Sequence, residues 1–174
     1  MRRVGVLIAT TGLLLILEVV LPAGEAVAQQ QSLKEQLVGT WKLVSVDNVR
    51  GDGSKRDVSG PNPKGVVIYT RDGHFALVDT RSNVPRIAPS GSDTKTAEEQ
   101  KAVVHVSIAY FGTYSVNEAD RVITVQIEGS TLANLVGRAD QKRIITYLTA
   151  DELRFTNPAT SSGDTLQLVW RRAK

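Results

Sequence analysis

The sequence predicts an all-β fold: an eight-stranded antiparallel up-and-down barrel with a short N-terminal helix and one helix between the third and fourth strands. Three observations lead there. From Thr40 onward, short segments alternate apolar and polar residues, the period of a half-buried strand. Most successive segments are joined by turn-forming residues such as Asp72-Gly73 and Ala150-Asp151, which suit hairpins between antiparallel neighbours. A meander of about eight such strands has two sticky edges unless it closes, and a closed barrel of that size encloses side chains or one small ligand.

Residues 1–28 read as a removable export signal. Arg2 and Arg3 form a positive start, Val4 to Leu21 is largely apolar, and Ala26-Val27-Ala28 places small residues where a signal peptidase reads. Cleavage is expected after Ala28, leaving residues 29–174 as one barrel domain, periplasmic or secreted. An uncleaved anchor is the rival, because the run approaches the ~17–25 residues a helical span needs. Glu18 inside the run and the A-x-A end favour removal, so no stable membrane span is expected afterwards. The paired arginines alone do not make a twin-arginine signal. The chain has no cysteine, so it carries no lipid-modified cysteine and no disulfide.

Ser32 opens "SLKEQLV", with Glu35 completing a capping box and Leu33 and Leu37 at helical spacing, which predicts a very short helix. In "TWKLVSVD" strict alternation puts Trp41, Leu43 and Ser45 on one face and Lys42, Val44 and Val46 on the other. Residues 50–65 are dense in turn formers: Asp52-Gly53 suits a tight hairpin, and Pro61 and Pro63 forbid a central strand. "VVIYT" and "HFALVDT" flank Asp72-Gly73 as a hairpin. Residues 81–95 are polar and read as an exposed loop. Thr96 and Glu99 form a second capping box, which predicts a helix over about Ala97 to Val106. "IAYFGTYSV" and "RVITVQIEG" follow as strands, "STLANLVG" as a loop with embedded apolar residues, and "QKRIITYL", "ELRFTN" and "TLQLVWRR" as the closing strands.

Composition excludes several functions. The net charge is +3, and the basic residues are spread out rather than run together. The two Trp, four Tyr and three Phe form no stacking series, so nucleic acid is not an expected partner. His74 and His105 are the only histidines and lack metal-ligand spacing, so neither a metal nor a cofactor is expected. There is no G-x-S-x-G elbow for serine hydrolysis. Arg50-Gly51-Asp52 has the composition of a hairpin tip and is read as a turn.

Gly39-x-Trp41 and the ordered set "LVGTWKLVS", "GVVIYTRDGHF", "IAYFGTYSV" and "IEGSTLANLVGRADQKR" resemble the bacterial lipocalin-like domain family from about Leu37 to Arg172. The last stretch is similar to that family's E-G-S-x-x-P-N-W-x-G-x-x-Q-x-R segment. Glu128, Gly129, Ser130, Asn134, Gly137, Gln141 and Arg143 match, while Ala133 and Leu135 replace the usual proline and tryptophan. The resemblance implies a barrel with an internal cavity, closed at one end by the tryptophan with an arginine of the last strand packed across it. Arg171 or Arg172 would be that arginine, and such a stack contributes about 0.5–2 kcal/mol.

The resemblance does not by itself imply an activity; the expected function is binding of a small apolar or amphipathic molecule inside the barrel. Tyr110 and Tyr114 share one face of their strand with Gly112 between them, and offer two phenols to a ligand or to the packing. Glu128 and Arg143 would form an inward pair if the polar face of "RVITVQIEG" lined the cavity, since an inward carboxylate needs such a partner. Tyr69 is a weaker addition to the set. The alternatives are an isomerase- or cyclase-type barrel enzyme with Glu128 as its acid–base group, and a filled barrel that serves as an interaction module.

Overall fold

A computed structural model describes residues 31–81, 107–138, 141–158, 160 and 163–174. The expected export signal, the helix expected over Ala97 to Val106, and His105 lie outside these residues. The described chain starts with helix α1 (Leu33–Leu37). Nine strands follow: β1 (Gly39–Val49), β2 (Lys55–Asp57), β3 (Lys64–Tyr69), β4 (His74–Thr80), β5 (Ser107–Asn117), β6 (Val122–Ser130), β7 (Gln141–Leu148), β8 (Glu152–Asn157) and β9 (Thr165–Arg172).

From β3 to β9 each strand pairs antiparallel with the next, and β1 pairs with both β3 and β9, which closes a barrel of eight strands. β2 is an addition to the expected set. Arg50 and Ser54 close a tight turn that folds β2 back on the far end of β1, so Asp47 pairs with Asp57 and Val49 with Lys55. The hairpin expected at Asp52-Gly53 thus forms, and it adds a three-residue strand that ends at Asp57, ahead of Pro61 and Pro63.

The helix is capped as its sequence predicts. The Ser32 side chain accepts from the Glu35 N–H, and the Glu35 carboxylate accepts from the Ser32 N–H at 2.9 Å. Glu118, in the β5–β6 turn, accepts from the free N–H groups of Leu33 (2.7 Å) and Lys34 (3.1 Å). Those donors have no partner within a helix this short, so a carboxylate far along the chain ties α1 onto one end of the barrel.

The alternation in β1 does not run through. Pairing with β9 slips between Leu43 and Ser45, so Val44 is an extra residue, half-exposed on the outside. Beyond this bulge the faces exchange: Val46 is buried, whereas unbroken alternation assigned Ser45 to the interior. A second bulge lies between β5 and β6, where Phe111 pairs with Gly129 and Gly112 with Ile127, leaving Glu128 unopposed. A Cβ on Gly112 would stand 1.9 Å from the Gln126 carbonyl oxygen. Only glycine admits so close a backbone approach.

Candidate functional site

Among the described residues, the barrel interior is filled at one end and holds a cavity at the other. At the filled end Trp41 is fully buried, and its indole N–H donates to the Leu37 carbonyl at 2.8 Å. Arg172 lies 4.0 Å above that ring and donates to the carbonyls of Val38 (2.9 Å), Gln36 (2.6 Å) and Ala150. Of the two candidate arginines Arg172 therefore closes this end, and Arg171 is exposed on the outer face. Gly39 answers to the same construction. Its φ is +129°, and a Cβ there would meet the Arg172 guanidinium at 2.8 Å.

Tyr114 and Tyr69 belong to this filled end. Tyr114 packs edge-on against Tyr69 at 5.0 Å and donates its hydroxyl to the Thr70 carbonyl at 2.8 Å. Tyr69 also stacks on Phe75 at 6.3 Å. Burial raises the Tyr69 phenol well above its ordinary range, with the positive charge of Arg143 acting against that rise. Tyr69 thus stays neutral, and neither phenol lines the cavity above.

That cavity has a volume of about 350 Å³. Its apolar wall includes Leu77, Ile108, Leu132, Leu166, Leu168 and Phe155. A 3-10 turn, Ala133–Leu135, folds the embedded apolar residues of the β6–β7 connection over it and buries Leu135. Tyr110 lines the cavity from β5, edge-on to Phe75 at 5.9 Å. The two tyrosines expected to act together, four residues apart along β5, are thus divided: Tyr110 is a cavity wall and Tyr114 packs into the filled end.

Arg143 points into the cavity from β7 and is only 5 % exposed. It donates to its neighbour's carbonyl, Lys142 O, at 3.0 Å, to Asn157 Oδ1 at 3.3 Å and, at the long distance of 3.5 Å, to Gln141 Oε1. Gln141 is held in turn by donating to the Leu135 carbonyl at 3.3 Å. The expected Glu128 partner is not there. Ile123, Val125 and Ile127 take the inward face of β6, so Gln126 and Glu128 are exposed outside. This corrects the inward Glu128–Arg143 pair and removes the group on which a catalytic reading depended.

Asp79, Arg81, Asn157 and Trp170 also line the cavity and were not singled out from the sequence. The signal was present for three of them. Phe75, Leu77 and Asp79 share one strand face, as do Leu153, Phe155 and Asn157, and Leu166, Leu168 and Trp170. A polar residue that continues an apolar face marks the rim of a cavity. Burial raises the Asp79 carboxyl, with Arg81 opposing that shift. His74 lies outside on the surface, 3.3 Å from Asp72, and no cluster of potential metal ligands is found among the described residues.

No helix among the described residues is long and apolar enough to cross a membrane. Among known proteins, the profile of the lipocalin-like domain family matches residues 38–173. A lipocalin-like protein from Bacteroides uniformis superposes with a TM-score of 0.42 at 14% identity, covering 79% of this chain and 99% of the other. A second protein from Bacteroides uniformis, solved by NMR, gives 0.41 at 14% identity, covering 81% and 92%. No curated protein matches. With the profile spanning the whole barrel, from the residue before Gly39 to the one after Arg172, the chain belongs to the lipocalin-like domain family.

Proposed function

We propose that the protein is an exported carrier that holds one small apolar or amphipathic molecule inside its barrel. The observation that carries this reading is the unfilled part of the interior, about 350 Å³ walled mostly by aliphatic and aromatic side chains. That volume falls in the range of sites for small organic ligands. Burial of ligand surface there contributes about 25 cal/mol per Å² of apolar area, and Tyr110 and Arg143 supply polar contacts that orient the molecule. An interaction module with a filled barrel would need large side chains where this one leaves space. Export rests on the N-terminal sequence: Arg2 and Arg3, the apolar run to Leu21, and Ala26-Val27-Ala28.

Native mass spectrometry of the protein purified from its own host tests both parts. The expected result is a chain beginning at Gln29 with one retained hydrophobic molecule per protein. A chain retaining Met1 to Ala28 would end the export reading. A clean apo mass, with no response to apolar dyes, would end the carrier reading.

A further inference from the structure

We infer that the ligand carries an anionic head group of the carboxylate type, which the Arg143 guanidinium receives inside the barrel. The inference rests on the carrier reading and names the class of molecule carried. It starts from a charge without a countercharge among the described residues. Arg143 is almost wholly buried, yet no carboxylate among the described residues lies within 4.0 Å of it. Its partners are one main-chain carbonyl and two side-chain amides, all neutral, and one of them is at the limit of hydrogen-bonding distance. A guanidinium has five N–H donors in a planar fork. The three contacts leave two donors with no protein acceptor among the described residues. An enclosed cation answered only by neutral groups is costly, and a bidentate anion is the partner that fits its geometry.

A second donor in the same cavity is also unanswered. Trp170 is fully buried and lines the cavity, and its indole N–H has no acceptor among the described residues. Buried donors of this kind are rare in folded proteins. The lining does contain two carboxylates, but both stand at the rim. Asp164 is exposed just ahead of β9, and Asp79, one residue from the end of β4, is half-buried with the Arg81 charge acting on it. Charge inside the cavity is thus positive, and the aliphatic wall beyond it suits a hydrocarbon tail. Gln141, anchored on the Leu135 carbonyl, and Asn157 hold the guanidinium in place without neutralising it.

The test is a calorimetric titration of the lipid-stripped protein, as its host exports it, with octanoic, decanoic and dodecanoic acids and with the matching primary alcohols. At neutral pH the best acid should bind at least about tenfold more tightly than its alcohol, the size expected when a charged hydrogen bond replaces a neutral one. Arg143→Met should close that gap while the alcohol's affinity holds, and Arg143→Lys should narrow it. Equal affinities for acid and alcohol in the unsubstituted protein would overturn the head-group inference and leave the carrier reading standing. A preference for the acid that survives in a folded Arg143→Met protein would also overturn it. No binding of acids, alcohols or an apolar dye would overturn both. The acid–alcohol comparison needs no variant, so a substitution that fails to fold does not remove the test.

Discussion

Arg172 and Arg143 are both drawn into the barrel, one at each end, and they are built differently. Arg172 lies over the Trp41 ring and donates to three main-chain carbonyls, so its charge is spent on joining β9 to α1 and to the β7–β8 turn. Arg143 is more deeply buried, yet it finds only neutral and partly long contacts beside open space. The same residue type is therefore a structural clasp at the filled end and an unsatisfied group at the open end. Stability should depend on the first and ligand binding on the second.

The sharpest way to break that contrast is to empty a site at each end. Trp41→Ala removes a fully buried indole and should cost about 3–5 kcal/mol in urea unfolding. Leu168→Ala, on the half-buried cavity wall, should cost under about 1.5 kcal/mol because its side chain already faces open space. Equal costs would mean that the interior is packed alike throughout.

The boundary between the ends can be probed at Gly112. Gly112→Ala forces a methyl group against the Gln126 carbonyl, and a loss at the upper end of ~1–3 kcal/mol is expected from the denaturation midpoint. A variant as stable as the parent would show that the β5–β6 bulge yields easily.

The arginines themselves sharpen the comparison. Arg172→Met should lose about 1.5–3 kcal/mol, since it strips charged hydrogen bonds from three carbonyls. Arg143→Met should be neutral or up to about 1 kcal/mol more stable, because it removes a buried charge that has no partner of opposite sign among the described residues. Thermal unfolding of the two proteins side by side decides the matter, and a reversed order would assign Arg143 to the scaffold.

The smallest effect is expected at the rim. A carboxyl raised by burial, as Asp79 is, holds its proton more tightly in the folded chain than in the unfolded one. Its charge therefore weakens the fold at neutral pH. That penalty fades as pH falls through the raised value and vanishes below the ordinary aspartate range near ~3.9. Asp79→Asn should accordingly gain about 0.5 kcal/mol or less at neutral pH and nothing in acid. Stability curves against pH for both proteins check the sign.

Much of the architecture was legible before the fold was seen, because its signals are local. The Ser32–Glu35 capping box, the Asp72-Gly73 hairpin and the apolar face of β6 each lie within a few residues, and each forms as read. Trp41 as the plug of one end came from a motif of three residues. Arg143 was legible as a candidate only through the longer segment around it.

What stayed illegible depends on chains meeting across the barrel. Unbroken alternation sends Ser45 inward, but pairing with β9 places a bulge at Val44 and turns Val46 in instead. The paired reading of Glu128 and Arg143 failed for the same reason: register and closure decide which face of β6 is inside, and the apolar face takes the interior. Side-chain period, turn chemistry and capping are fixed by near neighbours along the chain, so composition and spacing reveal them. A bulge, a cavity and an unanswered guanidinium are relations between distant strands, and they exist only once the sheet has closed on itself.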